Sequence, residues 1–189
     1  MKAFILPLLL VLPFLASSQT NGRDLATGYR SSAGAERVPS TELDIPPTVA
    51  DLQATLYELD DQYHAVHQMH WNVTGPLFIS LHELYEEIYT DLAGKMDEVA
   101  ERKLALDAPA DARPAAVARN ADLGPATPEG FVADRESLEV LTARHLEISN
   151  RLGERIARTG ETDVVTQDLL ISVRDLIDKQ LWMLRSFLK

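Results

Sequence analysis

Four long segments of the chain carry apolar residues at three- and four-residue steps, a spacing that restricts the chain to helical architectures. They run over about residues 48–71, 77–106, 130–158 and 162–188. Gly75-Pro76 separates the first two segments and Thr159-Gly160 the last two, whereas a Pro- and Ala-rich stretch, residues 107–129, joins the middle pair. Two short connections and one long central connection predict an all-α fold, a four-helix bundle with a long crossover.

Local signals refine this prediction. Thr48 follows Pro46-Pro47 and is a predicted N-cap of the first helix, because its side-chain oxygen can accept a bond from a first-turn N–H. A short helix is predicted inside the crossover, around Ala115–Asn120. No strand or hairpin signal competes with the helices.

The first residues do not belong to the predicted bundle. Lys2 precedes the apolar run AFILPLLLVLPFLA, and the small residues Ala16 to Ser18 end it. As a helix this run would span about 21 Å, short of the roughly 30 Å hydrocarbon core of a bilayer. We therefore interpret residues 1–18 as a secretory signal peptide, with an uncleaved anchor as the alternative. This interpretation predicts an exported protein, periplasmic or extracellular, without stable membrane association after cleavage.

Residues 19–47 are rich in Gly, Ser, Thr and Pro and lack an apolar period, so they predict a flexible tail ahead of a domain at residues 48–189. The formal charge of the chain is −11, and loss of Lys2 with the signal leaves −12. The tail holds three arginines and no lysine. Such a charge balance repels phosphate backbones and argues against DNA binding. Because the chain has no cysteine, stability must come from packing or assembly.

The segment LHELYEEIYTDLAGKMDEVAER, residues 81–102, carries two pairs of metal-binding side chains on one predicted helix. His82 and Glu86 form the first pair, and Asp97 and Glu101 form the second. At about 100° per residue all four share one face, but the pair midpoints lie roughly 22 Å apart along the axis. Ligands bind an ion at about 2 Å, so a single chain cannot close one site from both pairs.

Two copies of this helix, packed antiparallel about a twofold axis, would bring the first pair of each copy to the second pair of the other. His70, at the end of the first helix in HQMHWNVTG, is placed to fold back over the Gly75-Pro76 turn toward His82. The predicted site combines two histidines and a glutamate from one copy with an aspartate and a glutamate from its neighbour. A Glu-x-x-His motif, which a site inside one bundle would need on two helices, is absent from the sequence.

Imidazole and carboxylate ligands suit ferrous iron and also zinc or manganese. The alternative interpretation is that these carboxylates form an ordinary solvated helix face with weak surface pairs. The antiparallel pairing would place two histidines and three acids together, and this favours the metal site. An ordinary solvated charged face would have no reason to include histidines or the adjacent Trp71. His64, His67 and His145 are interpreted as ordinary polar positions of helices, although His64 and His67 could instead support the metal ligands or line a pore.

The motifs HQMHWNVTG, LHELYEE and MDEVAER, at these separations, resemble the Dps family of ferritin-like mini-ferritins, and the resemblance covers about residues 48–189. It implies a ferritin-like bundle that assembles into a hollow shell of twelve identical subunits, with a ferroxidase site at each end of every dimer interface. Such shells oxidise Fe(II), preferably with hydrogen peroxide and alternatively with dioxygen, and store the ferric product as a mineral, which protects against oxidative stress.

Residue by residue, the resemblance implies that His70, His82, Asp97 and Glu101 are iron ligands. Glu86 stands where many members have aspartate, so it keeps the carboxylate and adds a methylene. Trp71 matches a tryptophan beside the iron site that quenches stray oxidising equivalents; packing is its alternative role. Asp168, and more weakly Asp163, match acidic positions that line threefold iron-access pores, although either could instead complement a helix dipole at an N-terminus.

The function expected from these residues is an exported ferroxidase and iron store. Two alternatives remain open at this stage. One is a non-enzymatic cage that sequesters iron, zinc or manganese without catalysis, and the other is a DNA-coating protein, which the charge disfavours. A third, structural alternative treats the shared helix face as a dimer interface only.

Overall fold

The computed structural model describes residues 45–189, with side chains from residue 47 onward. The predicted signal peptide and all but the end of the predicted tail lie outside these residues. The described elements, in chain order, are helix α1 (Ile45–Asn72), strand β1 (Val73–Thr74), helix α2 (Phe78–Ala105), helix α3 (Pro114–Asn120), strand β2 (Val132–Ala133), helix α4 (Asp134–Thr159) and helix α5 (Val164–Ser186). The predicted four long helices and the short crossover helix are confirmed.

The long helices form a bundle in which α1 packs on α2, α4 packs on α5, and each pair contacts the other. Their three- and four-residue apolar steps meet in one core, and α3 covers the outside of α1. Full burial contributes roughly 1.5–3 kcal/mol for each large aliphatic side chain. The largest fully buried apolar residues include Leu52, Leu59, Met69, Leu81, Ile88, Leu92, Leu138, Leu141, Ile148, Leu152 and Leu170. Among the described helices, none combines the length and the apolar character that a bilayer crossing requires.

The start of α1 corrects one prediction. The helix begins at Ile45, so Thr48 lies inside it and is not its N-cap. Pro46 and Pro47 occupy the first turn, where a missing N–H breaks no intrahelical bond. Thr48 is 2% exposed, and its hydroxyl oxygen lies 3.3 Å from that of Thr162 in the α4–α5 connection.

A second correction concerns strands, which the sequence did not predict. Val73–Thr74 and Val132–Ala133 form a short parallel pair, Val73 opposite Val132. Both valines are buried, and two residues are too short for an alternating pattern to appear in the sequence. The pair attaches the α1–α2 connection to the start of α4.

Gly75 is required by this connection. Its φ is +128°, a conformation that side chains with a Cβ rarely adopt. A Cβ at this position would also lie 2.6 Å from a carboxylate oxygen of Asp134, which accepts a hydrogen bond from the backbone N–H of Leu77 at 3.3 Å. The glycine therefore lets α2 fold back along α1.

Gly75→Ala is expected to lower the free energy of unfolding by about 1–3 kcal/mol, because it combines an unfavourable φ with a steric clash. The measurement is the urea-unfolding midpoint of purified protein. Gly124→Ala is the control, since a Cβ at this exposed position of the crossover meets nothing within 4 Å in the described chain. Equal midpoints for the two variants would contradict this account of the turn.

Candidate metal centre

Two histidines from different helices meet across the α1–α2 turn. The imidazole rings of His70 and His82 are stacked, with centroids 3.8 Å apart and an interplanar angle of 17°. The Nδ1–H of His70 donates to the carbonyl oxygen of His82 at 2.8 Å, and the Nδ1–H of His82 donates to that of His70 at 2.9 Å. This reciprocal pair of bonds is the contact that the sequence predicted between the two residues.

These bonds determine which ring nitrogens are free to bind a metal. A carbonyl oxygen can only accept, so each Nδ1 must carry the proton. In the neutral imidazole the lone pair then lies on Nε2. Metal-ligating histidines commonly donate their other ring N–H to a backbone carbonyl, which fixes tautomer and orientation. His70 and His82 therefore present two preorganised Nε2 donors side by side.

The carboxylates predicted to share the site lie on α2. Glu86, one turn after His82, is exposed, and so are Asp97 and Glu101 near the other end of the helix. Because α2 is continuous from Phe78 to Ala105, the roughly 22 Å between the two pairs is a property of the folded chain. Among the side chains from residue 47 onward, no three potential ligands come close enough to hold an ion.

One chain therefore holds two separate halves of a site. The first half, called here the histidine half-site, consists of His70, His82 and Glu86. The second, called the acidic half-site, consists of Asp97 and Glu101. Glu86, Asp97 and Glu101 are exposed, whereas His82 is half-buried and His70 is only 7% exposed. Another copy can therefore reach the carboxylates of both halves, and the ligand roles of all five residues stay predictions.

Aromatic side chains surround the histidine half-site. Phe78 stacks on His82 at 5.3 Å between centroids, and Tyr89 meets His70 edge-on at 5.3 Å. His67 stacks on Tyr89 at 4.2 Å and lies against Trp71 at 4.1 Å. The sequence singled out Trp71 but missed Tyr89, although a step of seven residues from His82 places Tyr89 on the same helix face.

Two members of this aromatic shell have shifted pKa values. Burial raises the pKa of the Tyr89 phenol, and the neighbouring Glu86 and Tyr63 raise it further. Burial also lowers the pKa of His67, as do the nearby imidazoles of His70 and His64. At neutral pH Tyr89 is therefore a protonated phenol and His67 a neutral ring.

Trp71 is 61% exposed although it adjoins the half-site. Its indole rests on His67 and borders a cavity of about 540 Å³ whose opposite wall is the crossover, including Ala121 and Leu123. Neither of its predicted roles, quenching or packing, is tested by the single chain.

The two predicted pore residues have different environments. Asp168 is exposed on α5. Asp163 is buried and caps α5, since its Oδ1 accepts the backbone N–H groups of Val165 and Thr166, both at 3.1 Å. Its Oδ2 accepts from Arg102 at 2.7 Å. Asp163 therefore has the helix-terminal role that the sequence left open, and the pore role stays a prediction for Asp168.

His145 was interpreted as an ordinary polar helix position, and the structure places it in the core. It is fully buried on α4, with Nδ1 2.9 Å from the amide nitrogen of Gln62 and Nε2 3.2 Å from the amide oxygen of Gln180. These partners lie on α1 and α5. His145 therefore links three helices. Burial lowers the pKa of its imidazole, and its hydrogen bonds to Leu141 and Gln180 partly oppose this shift.

The depressed pKa of His145 predicts acid sensitivity. In the unfolded chain the group titrates near 6.5, whereas in the native state it stays neutral to lower pH. The unfolded state then binds more protons, so stability falls as pH drops below about 6.5, by at most about 1.4 kcal/mol per pH unit. Urea-unfolding midpoints between pH 8 and 5 should show this decline in the wild type and a shallower one in His145→Gln. Identical pH profiles for the two proteins would contradict this role of His145, since the wild type and the variant share all other histidines.

Comparison with known proteins agrees with this architecture. The family model for the ferritin-like domain matches residues 50–189. "DNA protection during starvation protein 2" from Deinococcus radiodurans is 34% identical over 146 residues, which cover 77% of this chain and 60% of that protein. The chain therefore spans less than two thirds of that relative's length.

Solved structures extend the comparison to the fold. A crystal structure of a Dps protein from Deinococcus radiodurans superposes with a TM-score of 0.75 at 34% identity, covering 77% of this chain and 88% of that one. The Dps protein of Vibrio cholerae O1, described as a member of a broad superfamily of ferritin-like diiron-carboxylate proteins, gives a TM-score of 0.71 at 30% identity, covering 78% and 94%. The predicted resemblance is thereby confirmed, and this chain belongs to the Dps family of ferritin-like proteins.

Proposed function

We propose that the protein is a ferroxidase and iron store that oxidises Fe(II), preferably with hydrogen peroxide, at sites formed between two copies of the chain. The single observation that carries this proposal is the reciprocal His70–His82 pair, which leaves the Nε2 atoms of both rings available to a metal, with the exposed Glu86 one helical turn after His82. Two imidazoles and a carboxylate are intermediate ligands that suit Fe(II). Membership of a ferritin-like family supports iron as the substrate.

The acidic half-site supplies what the histidine half-site lacks. A twofold axis crossing α2 midway between the two pairs would set His82 and Glu86 of one copy against Asp97 and Glu101 of the other. This crossing point falls near Leu92, next to the small residues Ala93 and Gly94, which let two helices approach closely. The three carboxylates would offset the charge of a bound cation and favour the ferric product over Fe(II).

Each group of the proposed site has a separate role in the reaction. The histidines bind Fe(II) as neutral ligands, and the hydrogen bonds of their Nδ1–H groups keep the two rings in place. The carboxylates stabilise the added positive charge when iron loses an electron. His82 is half-buried and Glu86 is exposed, so the histidine half-site keeps an open side from which the oxidant can reach the metal. The acidic mature chain, at −12 after loss of Lys2, attracts Fe(II) toward the shell, and Asp168 is the proposed pore residue.

The same proposal covers assembly and location. We infer a homododecameric shell in which ferric mineral collects, and export of the mature chain through the signal at residues 1–18. Zinc and manganese are competitors for the same ligands. The net negative charge supports a role away from DNA.

The experiment is to mix the mature protein anaerobically with Fe(II), add hydrogen peroxide, and follow ferric absorbance. The proposal predicts fast oxidation with a soluble ferric product in the wild type and slow oxidation in a His82→Ala/Glu101→Ala variant. Equal rates would refute the site and leave a metal-sequestering cage as the better account, which stoichiometric uptake of zinc, manganese or iron without oxidation would support.

A further inference from the structure

Two large aliphatic side chains near the ends of α2 are exposed in the single chain. Ile79, in the first turn of the helix, is 59% exposed, and Leu104, in the last turn, is 58% exposed. A lone exposed aliphatic residue is common on protein surfaces and needs no explanation. Ile79 and Leu104 differ from that case because they lie at the two ends of the helix face that carries both half-sites.

Helix geometry places both residues on this face. His82 and Glu101 mark its edges, about 100° apart around the helix. On the same scale, counted from His82, Ile79 lies at about 60° and Leu104 at about 40°, so both lie near the middle of the face. Ile79 precedes His82 by three residues, and Leu104 follows Glu101 by three residues. Each half-site therefore has an exposed aliphatic residue just beyond it.

The order of residues on the face is self-complementary. The twofold axis of the proposed dimer pairs positions whose residue numbers sum to 183, as those of His82 and Glu101 do. The numbers of Ile79 and Leu104 have the same sum. The axis that joins the two half-sites therefore also sets Ile79 of each copy opposite Leu104 of the other copy.

The distance between these residues follows from the iron site itself. His82 and Glu101 lie roughly 14 Å from the axis along α2, and Ile79 and Leu104 lie roughly 4.5 Å further out. A dimer close enough to share iron ligands thus brings the two aliphatic side chains within reach of each other. The ring of Phe78, which stacks on His82 at 5.3 Å between centroids, borders the same end of the site.

We propose that Ile79 of one copy packs against Leu104 of the other copy at the outer end of each iron site, and that this contact holds the two half-sites in register. This inference rests on the proposed shared site. A second copy of this chain is the occupant, because it presents Leu104 and the acidic half-site together, in the matching order. Both are positioning residues, since neither binds metal. Their burial also excludes water, which strengthens the attraction between the bound cation and its carboxylates.

The contact can be measured by cross-linking because the chain has no cysteine of its own. Ile79→Cys and Leu104→Cys are introduced together into the mature, assembled, metal-free protein, which is then treated with a short bis-maleimide. The proposal predicts that chains are joined in pairs on a denaturing gel. Each single variant should run as a single chain, because equal positions of two antiparallel copies lie roughly 37 Å apart along the helices.

Ile79→Cys/Glu87→Cys is the matched control for this double variant. Glu87 is exposed on α2, but in the proposed dimer it lies roughly 25 Å along the helices from Ile79 of the other copy. The control therefore carries the same number of thiols out of register, and its chains should stay unlinked.

Loss of the contact should also weaken iron binding. Ile79→Ala and Leu104→Ala are each expected to raise the dissociation constant for Fe(II), measured anaerobically, several-fold. The double alanine variant should bind no more weakly than the weaker single variant, because both changes remove one shared contact. Losses that multiply in the double variant would mean that the two side chains act independently, and they would overturn the proposed contact.

The outcomes distinguish this inference from the proposed function. If co-assembled His82→Ala and Glu101→Ala chains stay inactive, the shared site itself is refuted. If these mixed chains recover oxidation while Ile79→Cys/Leu104→Cys forms no cross-link, the contact is overturned and the shared site remains. A cross-link in either single variant would also overturn the contact, because it would show that a different pairing of chains covers that position.

Discussion

His82→Ala is expected to slow peroxide-driven oxidation of Fe(II) by at least about 100-fold. Loss of a partner that only orients a metal ligand typically costs about 10–100-fold in affinity or activity, and this change removes a ligand itself. It also removes the ring that stacks on the His70 imidazole at 3.8 Å, so the second imidazole loses part of its support. The measurement is the initial rate of ferric absorbance after peroxide is added to anaerobic Fe(II) and protein.

His64→Ala is the matched control for this substitution. His64 lies on α1 in the same part of the chain, but it is exposed and its Nε2 is 3.8 Å from the carboxylate of Asp60. Its removal deletes the same chemical group and should leave the rate within about a factor of two, as surface changes do. If both variants kept the wild-type rate, His82 would not be a ligand for the oxidised iron.

The second large effect is expected from a buried ion pair that joins α1 to α4. The carboxylate of Glu58 accepts two hydrogen bonds from Arg155, at 2.5 and 2.6 Å, and a third from Arg151 at 3.0 Å. The side chains of Glu58 and Arg155 are only 3% and 7% exposed. Glu58→Ala would leave the Arg155 guanidinium buried without its partner, and we expect a loss of about 3–5 kcal/mol in the free energy of unfolding.

A double variant distinguishes this cause from loss of packing. Glu58→Leu/Arg155→Met removes both charges and keeps apolar volume, so it should be more stable than Glu58→Ala. Urea-unfolding midpoints of the wild type and both variants test the order, with soluble yield as the readout if Glu58→Ala does not fold. A double variant that is less stable than Glu58→Ala would show that the charges themselves stabilise the bundle.

The helices and their order were predictable because the apolar positions repeat at the helical period over more than 20 residues in each segment. The Gly75-Pro76 turn was also predictable, since a glycine and a proline together interrupt that period. The parallel pair β1–β2 was not, because it consists of two residues from each of two distant segments and depends on how the crossover returns to α4. The start of α1 was misplaced because prolines in a first turn look like a boundary.

The candidate site divides in the same way. The shared face of His82, Glu86, Asp97 and Glu101 follows from helix geometry, so the sequence contains it. The tautomers of His70 and His82 do not, because they depend on the backbone carbonyls that the turn brings within reach. Tyr89 was overlooked because an aromatic residue on an amphipathic helix is usually part of the core. His145 was misjudged because its partners, Gln62 and Gln180, lie 83 and 35 residues away in the sequence.

The central claim, that each iron site is shared between two copies, is tested most directly by co-assembling His82→Ala chains with Glu101→Ala chains. Each variant alone breaks every site, one in the histidine half and the other in the acidic half. Random 1:1 assembly makes about half of the dimers mixed, and in a mixed dimer one of the two sites combines two intact halves. About a quarter of all sites are therefore restored. The account predicts recovery of about that fraction of the wild-type oxidation rate. If the mixed protein oxidises Fe(II) no faster than either variant alone, the site lies within a single chain and the shared-site account is wrong.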